Sequence, residues 1–166
     1  VTFSGDKLLG GVQSGLIVGR KETIEKIRKH PLYRALRVDK LIYAALEATL
    51  ESFRRETALQ EIPVLKMLSM TGEELETRTK NFAEKLSKTS NLSFEIVEGK
   101  SVIGGGSAPD VQPISTLLAL KHKQFSAVKL EEKLRNMRVI TRILEDRVLI
   151  DLRTVLESEE SELSDI

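Results

Sequence analysis

Hydrophobic positions repeat at two spacings along this chain, and the switch between them organises it. Val1-Thr2-Phe3 predicts a strand that ends in a glycine loop, Gly5 to Gly11, and Val12 to Val18 predicts a second short strand closed by Gly19. Residues 20–30 read as a helix with Ile24 and Ile27 on one face. Pro31 stops it, because proline disfavours helix in the residue before it. Pro31 to Arg37 is expected to be a connecting segment. The longest helical pattern then runs from Val38 to Arg55. Val38, Leu41, Ile42, Ala45, Leu46, Thr49, Leu50 and Phe53 share one face, and Asp39 is placed to cap the first turn. At 1.5 Å per residue such a helix is roughly 27 Å long, enough to join two domains.

Pro63 restarts the pattern, and Val64 to Met70 predicts a short helix or turn. Thr71-Gly72-Glu73-Glu74 has the spacing of a capping box and opens a helix to about Leu86, with Leu75, Phe82, Ala83 and Leu86 inward. Beyond Ser90-Asn91 the period falls from 3.6 to 2. Phe94 to Val97 predicts a strand that turns at Gly99-Lys100, Ser101-Val102-Ile103 leads into a glycine run, and Ile114 to Leu120 predicts another strand. Ser126 is placed to cap a helix to about Met137. Val139 to Leu144 and Arg147 to Leu152 pair as a hairpin across Glu145-Asp146. The pattern is α+β, a small sheet with helices on one face.

Composition narrows the class without naming a chemistry. Of 166 residues, 40% are hydrophobic and 31% charged, which suits an ordinary globular chain. No apolar run approaches the roughly 20 residues that span a bilayer, and no secretory pattern opens the chain. Cysteine is absent, so disulfides, zinc thiolates and cysteine nucleophiles are excluded together. A cytoplasmic protein is expected. The net charge of +1 conceals an asymmetry: eight basic residues stand against three acids between Arg20 and Lys40, whereas residues 157–166 hold five acids and no base. The basic cluster suits an anionic partner or a plain solvated face, and the acidic end is expected to be a frayed tail.

Three groups of residues carry candidate chemistry. Lys7 sits in the loop Ser4-Gly5-Asp6-Lys7-Leu8-Leu9-Gly10-Gly11; a desolvated lysine is neutral part of the time and attacks carbonyls, while an exposed one is only a solvated loop residue. Asp6 beside it either caps the loop or reaches the same site. Arg34 and Arg37, three apart, can clamp a tetrahedral anion or pair with Asp39 or Glu47. Gly104-Gly105-Gly106-Ser107 either cradles a phosphate or makes a turn, and no P-loop lysine follows it. His30 and His122 have no cysteine or paired histidine near them, so no metal site is expected. Ser4 and Lys7 also fit the Ser-x-x-Lys spacing of penicillin-recognising hydrolases, but Gly5 opposes the required helix and no Ser-Asp-Asn or Lys-Thr-Gly partner exists.

The run Phe3-Ser4-Gly5-Asp6-Lys7-Leu8-Leu9-Gly10-Gly11, followed by Gln13-Ser14-Gly15-Leu16-Ile17-Val18-Gly19, resembles the cofactor-lysine segment of the bacterial selenocysteine synthase family, the L-seryl-tRNA selenium transferases. Arg34-Ala35-Leu36-Arg37-Val38-Asp39-Lys40-Leu41, Ala44 to Leu50, Gly104 to Ser107 and Asp151-Leu152-Arg153-Thr154-Val155 fall in the family's order. One position departs: Val12 stands where the family pattern has proline, which loosens a turn and removes no chemical group. The resemblance implies a C-terminal portion of a fold-type-I pyridoxal-phosphate transferase, α/β and α+β in class. On that reading residues 1–37 are the end of a large cofactor-binding domain, 38–58 an interdomain helix, 59–156 a small α+β domain and 157–166 an acidic tail.

The resemblance also implies roles. Lys7 would hold pyridoxal 5'-phosphate as a Schiff base and then act as the base at the seryl Cα, with Asp6 a possible helper. Arg34 and Arg37 would bind selenophosphate, and the partners would be seryl-tRNA(Sec) and further copies of the chain in a ring-like homo-oligomer. Val1 is not an initiator methionine, so a chain cut from something larger and inactive alone is expected. The competing class is a non-catalytic RNA-binding or oligomerisation module. Only 4% of residues are aromatic, which argues against sequence-specific reading of single strands and leaves phosphate contacts.

Overall fold

A computed structural model describes residues 1–86, 91–104, 106–108 and 110–166. They form two compact units, Val1–Ser69 and Met70–Ile166. Ser90, Gly105 and Pro109 lie outside the described residues, so the sequence expectations that fall on them do too.

In the first unit, β1 (Thr2–Ser4) and β2 (Gly15–Ile17) pair antiparallel, with Phe3 opposite Leu16. Helices α1 (Lys21–Lys29), α2 (Pro31–Leu36), α3 (Lys40–Arg54), α4 (Ala58–Glu61) and α5 (Pro63–Ser69) follow. The expected connector from Pro31 is in fact a helix. Proline fits a first helical position because its missing N–H needs no partner there, and His30 Nδ1 accepts from the Leu32 N–H at 3.2 Å. Asp39 caps α3 as its spacing predicts, Oδ1 accepting from the N–H groups of Leu41 (2.9 Å) and Ile42 (3.0 Å). The apolar stripe of α3 is less covered than its periodicity implies. Ile42, Leu46 and Thr49 are half-buried, but Leu41 is 71% exposed and Leu50 and Phe53 are also exposed.

The second unit is a four-stranded antiparallel sheet in the order β3-β4-β6-β5, built from β3 (Leu92–Lys100), β4 (Ile114–His122), β5 (Arg142–Leu144) and β6 (Arg147–Asp151). Helices α6 (Gly72–Leu86) and α7 (Ala127–Asn136) contribute to a core against one face. Alternation decides which residues go where. Leu118, Leu120, Val148 and Ile150 meet Phe82, Ala83, Leu86 and Leu130, whereas Leu117, Ala119 and Leu149 point to the other face with Val97. Gly99 on β3 makes room there, since a Cβ at that position would lie 2.3 Å from Leu117 Cδ1.

Most local signals in this unit are read correctly, but the turn expected at Gly99-Lys100 is not there: both residues continue β3, paired with Ser115 and Ile114. The Thr71–Glu74 capping box forms in both directions: the Thr71 N–H donates to Glu74 Oε2 at 2.7 Å and the Glu74 N–H to Thr71 Oγ1 at 3.2 Å. Ser126 Oγ accepts from the Lys129 N–H at 3.3 Å and caps α7. The hairpin turns at Glu145 and Asp146, whose φ angles of 50° and 57° are the left-handed pair that a two-residue turn between twisted strands requires.

Two features were not foreseen. The acidic end is not a frayed tail: a short 3-10 turn (Glu157–Glu159) leads into α8 (Glu160–Asp165). Arg78 of α6 fixes it, donating to Glu160 Oε1 at 2.6 and 2.9 Å and to the Val155 carbonyl at 3.0 Å. The second feature is Arg153, only 4% exposed, whose guanidinium donates to the carbonyls of Met70 (3.1 Å) and Ile114 (2.7 Å) and to Ser101 Oγ (3.1 Å). Ser101 and Ser115 in turn donate to Asp151 at 2.6 and 2.8 Å. The Asp151-Leu152-Arg153 run thus ties the approach to α6, the end of β3 and the start of β4 to the end of β6.

Candidate functional site

Lys7 lies on a loop whose shape is set by its glycines. The Gly5 N–H donates to the Ser14 carbonyl, the Gly11 N–H to the Gly5 carbonyl and the Gly10 N–H to the Lys7 carbonyl, each at 2.8 Å. Gly10 has φ +73°, and a Cβ there would lie 2.3 Å from Ile62 Cγ2; at Gly11 one would lie 2.9 Å from Thr49 Oγ1. The loop therefore sits closely against α3 and the approach to α5. Only residues without a side chain fit at those two positions.

The loop turns Lys7 toward its neighbour. Its Nζ is 2.7 Å from Asp6 Oδ2, and the lysine side chain is 42% exposed. Of the two expectations for Asp6, capping the loop or reaching the lysine's site, the second fits: residues 5–9 form a turn, and Asp6 meets Lys7. The hydrogen bond from Lys7 holds the Asp6 carboxyl below its ordinary value. Within the first unit the amine is thus a partly exposed, carboxylate-bound group and not a desolvated one.

Arg34 lies in α2 and Arg37 is its C-cap residue, with the Arg37 N–H donating to the Tyr33 carbonyl at 2.9 Å. Both are exposed. Neither makes an ion pair among the described residues, with Asp39, Glu47 or any other acid, and Asp39 instead caps the start of α3. The two guanidiniums are therefore available to an external anion. The basic side chains of α1 are likewise exposed and without ion pairs among the described residues. No hydrogen bond among the described residues joins Lys7 or Asp6 to Arg34 or Arg37.

The remaining candidates have local roles. Gly104 and Gly106 would meet nothing within 4 Å if given a Cβ, and the Ser107 N–H faces the Gly104 carbonyl at 3.4 Å, the geometry of a turn. His122 Nδ1 accepts from the Gln124 N–H at 3.0 Å while its ring stacks on Phe125 with centroids 4.3 Å apart. No cluster of three potential metal ligands occurs among the described residues. No helix among them is long and apolar enough to cross a membrane. Sequence reasoning missed the Arg153–Asp151 network, a structural tie within the second unit, although both residues stood in a motif that it singled out.

Pyridoxal phosphate, which the family resemblance implies, needs an amine that it can reach. Lys7 can be reached, being partly exposed on a loop held by three backbone hydrogen bonds, although its amine is engaged by the Asp6 carboxylate instead of being desolvated.

The family model described as SelA, L-seryl-tRNA selenium transferase, matches residues 1–156. Proteins named L-seryl-tRNA(Sec) selenium transferase are 44% identical over 166 residues in Aliarcobacter butzleri, 46% over 163 in Alkaliphilus metalliredigens and 46% over 169 in Geotalea daltonii. These alignments cover 100%, 96% and 99% of this chain but 36%, 35% and 37% of the relatives, so the chain spans just over a third of their length. With its glycine-held lysine loop and a match that runs through Asp151-Leu152-Arg153, the chain belongs to the L-seryl-tRNA selenium transferase family.

Proposed function

We propose that a protein of the relatives' full length carrying this chain converts seryl-tRNA(Sec) to selenocysteyl-tRNA(Sec) with selenophosphate, and that Lys7 is its cofactor lysine. The observation that carries the reading is the Lys7 loop, in which Gly5, Gly10 and Gly11 leave space for nothing but hydrogen and the amine stays accessible. Pyridoxal phosphate, when bound, would supply an electron sink for charge developing at the substrate Cα. Lys7 Nζ would take the proton from that carbon and return it, which requires the amine without its proton. Asp6 Oδ2, 2.7 Å away, is placed to orient the Lys7 amine when the cofactor does not hold it. Arg34 and Arg37, with no internal ion pairs, would orient the anionic selenium donor through paired N–H donors.

The exposed basic side chains of α1 and α2 support contact with the tRNA backbone, and the same observation favours the second reading, a module that binds RNA without catalysis. Residues 1–37, 38–58, 59–156 and 157–166 remain our division into cofactor-domain end, linking helix, small domain and acidic segment. A ring-like homo-oligomer and a cytoplasmic location belong to the same proposal, and the chain alone is expected to be inactive.

Borohydride reduction of the full-length protein with pyridoxal phosphate, followed by peptide mapping, is expected to label Lys7, and Lys7→Ala to abolish both the label and turnover. Arg34→Ala is expected to slow selenium transfer by about 100-fold, as for removal of a paired anion contact, while elimination of the seryl hydroxyl persists. A label elsewhere, or salt-sensitive RNA binding that persists in a protein without the label, would favour the non-catalytic module.

A further inference from the structure

The first unit has a small apolar interior, and its larger member lies under the Lys7 loop. The buried hydrophobic residues of Val1–Ser69, among those described, are Ala58 and Ile62, the latter 5% exposed. Ile62 Cγ2 lies 2.3 Å from the point where a Cβ on Gly10 would stand, and Val64 Cγ1 lies 2.8 Å from it. Gly10 therefore rests on Ile62, with Val64 beside it.

This support is itself fixed. Ile62 caps α4, its N–H donating to the Ala58 carbonyl at 3.0 Å, and its own carbonyl accepts from the Lys66 N–H at 2.9 Å. The end of α4 is tied to α3 by Ser52 Oγ, which donates to Glu61 Oε2 at 2.6 Å. Thr49, one turn before Ser52 on α3, supports the next loop residue: its Oγ1 and Cγ2 lie 2.9 and 3.1 Å from a Cβ at Gly11. Two consecutive glycines of the loop thus press on two elements that are bonded to each other.

The backbone carries that support to the lysine. The Gly10 N–H donates to the Lys7 carbonyl and the Gly11 N–H to the Gly5 carbonyl, both at 2.8 Å. A displaced Gly10 would carry the turn with it, and the turn sets the contact between the Lys7 amine and Asp6. We infer that Ile62 is a positioning residue for Lys7: its Cγ2 methyl seats Gly10 and so fixes the turn from which the amine projects. The inference rests on the reading of Lys7 as the cofactor lysine. Filling the interior is a different role, and the branch at Cβ separates the two. Leucine matches isoleucine in volume but has no methyl on Cβ. Valine keeps both γ carbons, with the same restricted χ1, and lacks only the δ methyl.

Titration of the Asp6 carboxyl by NMR in the 166-residue chain reads the turn without cofactor, because the Lys7 hydrogen bond is the main cause of its lowered value. Ile62→Leu is expected to move the Asp6 midpoint up toward the ordinary carboxylate value. Ile62→Val is expected to leave it in place, although valine leaves the larger gap. Backbone shifts at Ser52 and Glu61 should stay unchanged in both variants. In the full-length protein with pyridoxal phosphate, borohydride labelling of Lys7 should fall about tenfold or more in Ile62→Leu and persist in Ile62→Val. An unmoved Asp6 midpoint in Ile62→Leu, or a larger shift in Ile62→Val, would overturn the inference and leave Ile62 a core residue only. Changes at Ser52 and Glu61 as large as those at Lys7 would overturn it too, since the substitution would then loosen the whole unit. Absence of label at Lys7 in the unsubstituted full-length protein would instead overturn the cofactor reading, and the Asp6 titration would still decide whether Ile62 seats the loop.

Discussion

Arg153 shows how much of the second unit depends on one side chain. Its guanidinium meets two carbonyls and one hydroxyl, and Asp151 receives that hydroxyl and another. Removing the arginine strands these groups in a place that water reaches poorly. Breaking a buried charge network costs about 3–5 kcal/mol, whereas an exposed ion pair contributes about 0–1 kcal/mol. Arg153→Met is therefore expected to lower stability in urea by about 3 kcal/mol or more, and Arg147→Ala, which loses pairs to the exposed Glu95 and Glu145, by less than about 1 kcal/mol. Similar losses in the two variants would mean that the network is solvated. Sequence reading could mark Arg153 only as part of a motif, because its partners lie up to 83 residues away.

At the scale of elements, the end of α3 joins α4 through an acid-sensitive contact. Ser52 Oγ donates to Glu61 Oε2 at 2.6 Å and Arg55 donates to the same carboxylate at 2.8 Å. The Ser52 hydrogen bond is the main reason that the Glu61 carboxyl lies below its ordinary 4.5, with Thr57 and Arg55 adding to it. A carboxyl lowered on folding stabilises the fold fully above its unfolded value, and that contribution is lost as pH falls through the lowered one. Glu61 is thus expected to titrate below 4.5 by NMR, and Ser52→Ala to move its midpoint upward. An unchanged midpoint would show that the bond to Ser52 does not form in solution.

The same scale separates what was legible from what was not. Asp39, Thr71 and Ser126 were legible as caps because a cap depends on residues two or three positions away. The hairpin at Glu145-Asp146 was legible for the same reason. The docking of the acidic end was not, since Glu160 finds Arg78 across 82 residues and composition alone describes a solvated tail. The exposure of the α3 stripe was hidden as well: periodicity shows that Leu41, Leu50 and Phe53 share a face but not that something covers it. At the candidate site, the glycine pattern revealed the Lys7 loop, whereas the turn of Asp6 onto Lys7 depended on backbone angles that the sequence does not state.

Across the whole molecule, the candidate chemistry and the fold's core belong to different units. Met70–Ile166 encloses Leu75, Phe82, Leu118, Val148 and Leu152, all almost fully inaccessible, whereas the buried hydrophobic residues of Val1–Ser69 are only Ala58 and Ile62 among the described residues. Hydrophobic burial is the main favourable term in folding, so the second unit has the larger basis for an independent, all-or-none transition. Residues 70–166 expressed alone are expected to unfold cooperatively in urea, with a midpoint close to that unit's midpoint in the 166-residue chain. Residues 1–69 alone are expected to lose structure gradually. A sharp transition in the shorter piece, or none in the longer, would refute this division of stability. The division bears on function because a misplacement of about 1 Å can cost roughly 100-fold in rate. Lys7, Arg34 and Arg37 all lie in the thinly packed unit, so their geometry needs support beyond what Val1–Ser69 provides from its own core. Borohydride treatment of the 166-residue chain should accordingly give far less label at Lys7 than the full-length protein does, and equal labelling would show that the loop is organised by its own glycines alone.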